Sequence, residues 1–195
     1  MMARITPADG FAAIPTTDIG QGDRINLGVA GIMSRLPDVA AAVGGVTGAL
    51  REAGALSPRL MELVRLRIAF HNQCRSCMSI RYQSAIDDGL TEDAVCSLER
   101  PAEASDLTDP ERSALRFADL FATDHLAIGD SVYDDLRRHF TEDQLVALGL
   151  HCALCVGLGR LAATWHVVDD LPDEYRADSG IPLAPWSANS VVASG

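Results

Sequence analysis

Two cysteines separated by two residues, Cys74 and Cys77, have the spacing that suits them best to chemistry in this chain. CxxC spacing lets two sulfurs meet across one helical turn, and the pair falls where one predicted helix ends and the next begins. The partial positive charge of a helix N-terminus, with Arg75 beside it, stabilises a thiolate. The pattern therefore predicts dithiol–disulfide exchange. The alternative is that both cysteines pack as small apolar side chains.

Charged residues on the two flanking helices can approach this pair. Arg81 follows Cys77 by four residues, one turn along the same face of a continuous helix. If the chain turns between the helices, Glu62 and Arg81 lie ten residues before and nine after the turn, level with each other in an antiparallel pair. We therefore predict an ion pair between Glu62 and Arg81 beside Cys77. The competing interpretation is an ordinary surface ion pair of Glu62 with Arg59 or Arg65.

Residues 56–64 read Leu-Ser-Pro-Arg-Leu-Met-Glu-Leu-Val, and the CxxC pair begins twelve residues after Glu62. This combination resembles the carboxymuconolactone decarboxylase / alkylhydroperoxidase D-like family. The resemblance is specific over residues 56–90 and looser over 111–165. It implies an all-helical fold, no organic cofactor and no metal. It also implies a small-molecule peroxide or disulfide as substrate and a dithiol as reductant. Assembly into a homodimer, trimer or hexamer, with the CxxC near a subunit boundary, is implied as well.

The thiol branch of that family assigns roles to individual residues. By resemblance, Cys77 is the peroxidatic cysteine that becomes a sulfenic acid, Cys74 resolves it as a disulfide, and Glu62 belongs to the proton relay. The family places a histidine four residues after the second cysteine, where this chain has Arg81. Arginine holds a thiolate by charge but cannot shuttle a proton. We therefore expect an electrostatically activated Cys77 thiolate, with His71 as the nearest replacement base or, alternatively, as an ordinary histidine at a helix C-terminus.

Two other enzyme or protein classes remain open from the sequence. A decarboxylase or lactone-type enzyme of the same fold generally lacks the CxxC, which argues against it here. A non-catalytic oligomeric protein with an altered site is favoured by the missing histidine. The dithiol makes a peroxidase or disulfide reductase the preferred prediction.

Composition excludes several partners and chemistries. The net charge is −11, which disfavours nucleic acid and anionic membrane surfaces. All sixteen cations are arginine, so Schiff-base and P-loop lysine chemistry is excluded. The first fifteen residues lack the pattern of a signal peptide, and we expect a cytoplasmic protein with reduced thiols. The apolar stretch 145–165 is expected to be a central core helix and not a membrane span.

Two further motifs have weaker support. Cys152 and Cys155 form a second CxxC, which with the first suggests a four-thiolate zinc site. Its place inside an apolar helix instead favours buried, inert cysteines. Gly157, Gly159 and Ala162 match a dinucleotide fingerprint, but no strand precedes them, so close helix packing is the better interpretation.

Helix caps recur along the chain and strand patterns are almost absent. We predict an all-α, single-domain bundle of about seven or eight helices with no sheet. An N-terminal arm covers residues 1–22, the helical domain 23–168 and a C-terminal tail 169–195, with Trp186 as the only large apolar residue able to pin the tail. The predicted helices cover residues 24–34, 37–54, 58–71, 73–88, 91–98, 109–123, 130–140 and 141–166.

Overall fold

A computed structural model of the chain describes residues 3–11, 17–176 and 180–194, and over these ranges the protein is mostly helical. The predicted all-α class is confirmed, although ten helices are described, slightly more than expected, together with one small sheet. Two short 3-10 helices, Ser97–Glu99 and His125–Ala127, are described as well. The elements in chain order are α1 (Gln21–Met33), α2 (Pro37–Glu52), α3 (Pro58–Asn72), α4 (Arg75–Ser79), β1 (Ile80–Tyr82), α5 (Gln83–Asp87), α6 (Glu92–Cys96), α7 (Asp109–Thr123), α8 (Asp130–Leu136), α9 (Glu142–Trp165), α10 (Asp173–Arg176) and β2 (Val191–Ala193).

Local capping chemistry explains where the main helices begin. The Ser57 side chain accepts a hydrogen bond from the backbone of Leu60, and proline follows it at the first position of α3. Capping boxes open α7, from Thr108 with Glu111, and α9, from Thr141 with Gln144. The predicted helix 109–123 coincides with α7, and the predicted helix 141–166 agrees with α9 to within one residue at each end.

The core forms where α3, α7 and α9 pack together. Leu63, Leu66, Leu115 and Leu148 are almost completely buried there. The central position predicted for the long apolar helix is confirmed on this side of α9. By length and composition α9 is the one helix among the described residues that could cross a membrane, but part of it is buried in this core. Its outer side leaves large apolar side chains exposed, Leu150 among them.

The predicted continuous helix over 73–88 is wrong. The chain runs as α4 only to Ser79, becomes extended over β1 and then re-enters a helix at Gln83. The cause lies far away in sequence, because β1 pairs in parallel with β2 in the C-terminal tail, with Arg81 opposite Val192. This also corrects the prediction that no sheet is present. Gly22 of α1 lies so close to the Val192 backbone that a side chain there would collide with it.

The C-terminal tail packs against the back of the CxxC turn. Trp186 packs against Phe70 with its ring tilted by 43° and the ring centroids 4.9 Å apart, as its predicted role as a pin requires. It is not the only anchor, since Tyr175 is fully buried and its hydroxyl donates to the Met78 carbonyl. The tail is therefore part of the structure that positions the two cysteines.

Candidate functional site

Cys74 and Cys77 are joined by a disulfide at the start of α4. Helix α3 ends at Gln73, whose left-handed backbone (φ 50°) reverses the chain, and Cys74 then caps α4. The Cys74 sulfur is fully buried and accepts hydrogen bonds from the Cys77 backbone N–H at 3.4 Å and the Ser76 hydroxyl at 3.5 Å. Cys77 is only half-buried. Because hydrogen bonds stabilise sulfur as a thiolate, Cys74 is the better leaving group when a nucleophile attacks the Cys77 sulfur.

Cys77 lies on the wall of a cavity of about 330 Å³ between α1, α2, α3, α9 and the CxxC turn. This volume is within the range of small-molecule sites. Most of the lining is apolar, and the polar lining groups are few and grouped. The apolar side chains include Ile25, Val29, Met33, Met61, Leu154 and Leu158, and the groups able to bind or react include Arg51, Arg65, Cys77, Tyr82, His151 and Cys155.

Glu62 is buried beside the cavity, but its partner is Arg65 and not the predicted Arg81. Both carboxylate oxygens accept from Arg65, each at 2.6 Å, and the Tyr82 backbone N–H donates to the same carboxylate at 3.2 Å. The competing interpretation, in which Glu62 pairs with Arg65, is therefore correct about the partner. The pair is buried, however, and does not lie at the surface. Burial alone would lower the pKa of Arg65. The charge of Glu62 and its hydrogen bonds to Arg65 outweigh burial, so the pKa of Arg65 lies above its ordinary value. Arg65 also donates to the Cys77 carbonyl at 2.6 Å, which fixes the cation beside the reactive turn.

Arg81 points away from Cys77, because β1 is extended and residues four apart no longer share a face. Its buried side chain binds Glu92 at 3.0 Å and donates to the carbonyls of Met78 and Pro185. The predicted pairing of Arg81 with Glu62 is wrong. Arg81 instead ties the CxxC turn to the C-terminal tail.

His71 does not face the cysteines either. Its Nε2 lies 2.7 Å from Asp119 of α7, and Arg67 binds the same carboxylate at 2.6 Å. Burial alone raises the pKa of Asp119, but the hydrogen bonds from His71 and Arg67 lower it overall. His71 is absent from the cavity lining, so the geometry does not support it as a replacement base.

The histidine that does line the cavity is His151 of α9. Its Nε2 lies 2.8 Å from the Met61 carbonyl, which can only accept, so Nε2 carries the proton. Burial lowers the pKa of His151, which favours the neutral ring. The Cys155 sulfur lies 3.7 Å from the same nitrogen. A second sulfur and an imidazole therefore share the cavity with Cys77.

The second CxxC is not a zinc site in the part of the chain that the structure describes, where no group of three or more potential metal ligands occurs. Cys152 is fully buried against the core and Cys155 faces the cavity. Burial raises the pKa of Cys155 from its ordinary value to about 12, and that of Cys152 further still. Both remain neutral thiols at neutral pH.

Selective alkylation tests this assignment. We expect iodoacetamide at pH 8 to label Cys77 and the exposed Cys96 in the reduced, folded protein, and to leave Cys152 and Cys155 unlabelled. Peptide mass mapping reads out each site, with the protein unfolded in guanidinium as the control in which all five cysteines react. Labelling of Cys152 in the folded protein would contradict the burial described above.

Because the unfolded chain loses these thiol protons from about pH 9, we also expect the free energy of unfolding to fall as the pH rises from 9 towards 12.

The close packing predicted for the glycines of α9 is confirmed at Gly159 but not at Gly157, where an added side chain would meet nothing within 4 Å. A side chain at Gly159 would come within 2.6 Å of the Asn72 amide nitrogen and 4.0 Å of the Cys77 sulfur. Asn72 in turn donates to the Cys155 carbonyl at 2.9 Å and accepts from Arg160. Gly159 therefore lets α9 approach the end of α3 and the reactive cysteine.

Comparison with known proteins matches the carboxymuconolactone decarboxylase family over residues 37–120. Two uncharacterised proteins from two strains of Mycobacterium tuberculosis are each 38% identical over 114 residues. The match covers 57% of this chain and 39% of each relative, so it spans well under half the length of those proteins.

Three solved structures share the fold. The debrominase Bmp8, solved as a variant in complex with 2,3,4-tribromopyrrole, has a TM-score of 0.68 and 20% identity, over 90% of this chain and 95% of its own. An uncharacterised peroxidase-related protein from Ralstonia eutropha JMP134, described as an alkylhydroperoxidase AhpD core, has a TM-score of 0.67 and 20% identity, over 94% and 99%. A protein of unknown function from Agrobacterium tumefaciens, linked by name to the antioxidant defence protein AhpD, has a TM-score of 0.59 and 22% identity, over 68% and 92%. The segment that is similar to the carboxymuconolactone decarboxylase family, residues 37–120 of this chain, carries Glu62 and the Cys74–Cys77 pair.

Proposed function

We propose that the protein is a thiol-dependent oxidoreductase that reduces an organic peroxide, or a disulfide, with Cys77 as the reactive sulfur and Cys74 as the resolving one. The observation that carries the proposal is the placement of the two sulfurs. Cys77 borders an apolar cavity able to hold a small organic molecule, while Cys74 is buried directly behind it and already bonded to it. The fold shared with a peroxidase-related protein is consistent with this chemistry.

The reaction balances without a metal or organic cofactor. The Cys77 thiolate attacks the distal oxygen of ROOH, the O–O bond breaks, and the alkoxide takes a proton to leave as ROH. Cys74 then displaces water from the Cys77 sulfenic acid and forms the disulfide. A dithiol from outside the protein returns the disulfide to two thiols by exchange. The net change is one peroxide and two thiols converted to one alcohol, one water and one disulfide.

In this proposal Arg65 takes the electrostatic role predicted for Arg81. Its guanidinium lies in the cavity wall and is hydrogen-bonded to the Cys77 carbonyl, so a thiolate at Cys77 gains a nearby cation. Glu62 holds Arg65 in place with two hydrogen bonds. A role for Glu62 in proton transfer stays a prediction.

Peroxide consumption by the pre-reduced protein tests the function. We expect one equivalent of cumene hydroperoxide to be consumed in stopped flow, with a mass decrease of about two daltons as the Cys74–Cys77 disulfide forms. Cys152→Ser, which alters a fully buried thiol away from the cavity, is the matched control and should react as the wild type does. No peroxide loss and no mass change would rule out the peroxidase.

Reductive debromination is a second candidate, favoured by the largely apolar lining of the cavity beside Cys77. The dithiol supplies the two electrons, so that one aryl bromide and two thiols give one arene, one HBr and one disulfide. A neighbour in fold was solved with 2,3,4-tribromopyrrole, which makes that compound the probe. Bromide release together with disulfide formation would favour this activity over peroxide reduction.

The remaining expectations stay predictions. The net charge of −11 supports the expected lack of nucleic-acid and anionic-membrane partners. Helix α2 contributes no buried residue, and α9 exposes apolar side chains, which supports a homo-oligomer. The identity of the dithiol reductant and the cytoplasmic location rest on the family resemblance and the amino-acid sequence.

A further inference from the structure

The charges in the cavity wall are unusual for this chain. The protein has 27 acidic residues against 16 arginines, yet the described residues lining the cavity include two arginines and no aspartate or glutamate. Besides the disulfide-bonded Cys77 and a tyrosine, the lining holds Cys155, whose pKa is raised by burial, and His151, whose pKa is lowered by burial. Since a carboxylate just outside the lining, Glu62, pairs with Arg65, the charge left for a ligand is that of Arg51, which points to an anionic group on that ligand.

The two arginines differ in what balances their charge. Both guanidiniums lie over the Tyr82 ring, Arg51 at 5.3 Å and Arg65 at 5.0 Å from its centroid. The charge of Arg65 is matched by the two hydrogen bonds to Glu62. Among the described residues Arg51 has no carboxylate partner and no hydrogen bond, and its exposed side chain lies over the Tyr82 ring near His151 and Cys155.

The position of Arg51 suits it for binding a ligand end. It lies in the last turn of α2, a helix with no buried residue, so its side chain is held by the tyrosine ring and not by the core. The space between it and Cys77 is bordered by apolar side chains such as Met61 and Leu154. The cavity therefore presents a cation at Arg51, an apolar stretch, and a sulfur at Cys77. A ligand with one anionic end and an apolar body fits this arrangement.

We propose that the cavity binds an organic monoanion, with its carboxylate on Arg51, its apolar body against α1 and α9, and its reactive end at Cys77. The placement of the reactive end at Cys77 rests on the proposed function. The carboxylate site at Arg51 is inferred from the cavity lining alone. The substrate class is therefore a peroxide that carries a carboxylate, and a neutral peroxide uses the same cysteine without the contact to Arg51.

Binding without turnover tests the anion site separately from the redox chemistry. We expect the oxidised wild-type protein to bind 4-isopropylbenzoate on the order of 10-fold more tightly than its neutral isostere 4-isopropylbenzamide, measured by titration calorimetry at low salt. Arg51→Met should remove that preference. Arg116→Met is the matched control, because it removes the same charge from an exposed position on α7 outside the cavity, and it should keep the preference.

Turnover gives the second measurement. We expect para-carboxylated cumene hydroperoxide to have a kcat/KM on the order of 10-fold above cumene hydroperoxide, with the ratio falling to about one in Arg51→Met and unchanged in Arg116→Met. Equal affinities for the benzoate and the benzamide, or a preference that survives in Arg51→Met, would overturn the proposal. Anion binding without consumption of either peroxide would instead overturn the peroxidase and leave the anion site in place.

Discussion

Replacing Cys77 with serine is expected to abolish peroxide consumption, a loss on the order of 10³-fold or more, because it removes the only reactive sulfur of the disulfide that faces the cavity. Cys74→Ser should behave differently. Its Cys77 thiol still borders the cavity, so one equivalent of peroxide is consumed and the sulfenic acid accumulates. Stopped-flow kinetics with dimedone trapping and intact mass measurement distinguishes the two variants.

The asymmetry between the two cysteines is the decisive result. A dimedone adduct on Cys77 in Cys74→Ser, with no adduct in Cys77→Ser, matches the burial of Cys74 and the half-exposure of Cys77. The reverse pattern would show that Cys74 meets the peroxide and would assign the roles the other way round. Cys152→Ser again serves as the control, since it changes a thiol without changing the disulfide.

Features set by short-range chemistry could be predicted from the sequence. The caps at Ser57 and Thr141 depend on hydrogen bonds to residues three positions away, and both begin helices where expected. The CxxC pair is equally local, and its cysteines meet across one turn as the spacing indicates. In these cases the side chain and its partner lie within one helical turn.

The misassigned charges depend on contacts that the local pattern does not contain. The interruption at Ile80 results from pairing with Val191, more than one hundred residues later, and it turns Arg81 away from Cys77. The turn between α3 and α4 therefore does not lead into an antiparallel helix pair of the expected length, and Glu62 binds Arg65 on its own helix instead. A local signal did exist, because three-residue spacing on a helix favours that pair.

The cavity residues from α9 could not be placed from sequence for a related reason. His151 and Cys155 are one turn apart on a helix that is apolar almost all round, so periodicity does not indicate which side faces α3. Only the packing of α9 against α3, with Gly159 against Asn72, brings them into the same cavity as Cys77.

Arg65→Met is expected to lower the free energy of unfolding by about 3–5 kcal/mol, because it leaves the Glu62 carboxylate buried without its cation. It also removes hydrogen bonds to the carbonyls of Cys77 and Ile80 beside the reactive turn. If Arg65 stabilises the thiolate as proposed, the pH profile of Cys77 alkylation moves to higher pH in this variant. Urea unfolding of the reduced protein and alkylation rates from pH 5 to 9 measure the two effects.

A double-mutant cycle separates the ion pair from the lost packing. Combining Arg65→Met with Glu62→Leu should recover stability, giving a coupling energy above about 2 kcal/mol, because both members of the pair are buried. The matched cycle of Arg81→Met with Glu92→Leu should give less than about 1 kcal/mol, because Glu92 is 61% exposed and water replaces its partner. Arg81→Met should also leave the Cys77 alkylation profile unchanged, since that side chain binds the tail and not the cavity. Equal coupling in both cycles, or a shifted profile in Arg81→Met alone, would return the electrostatic role to Arg81.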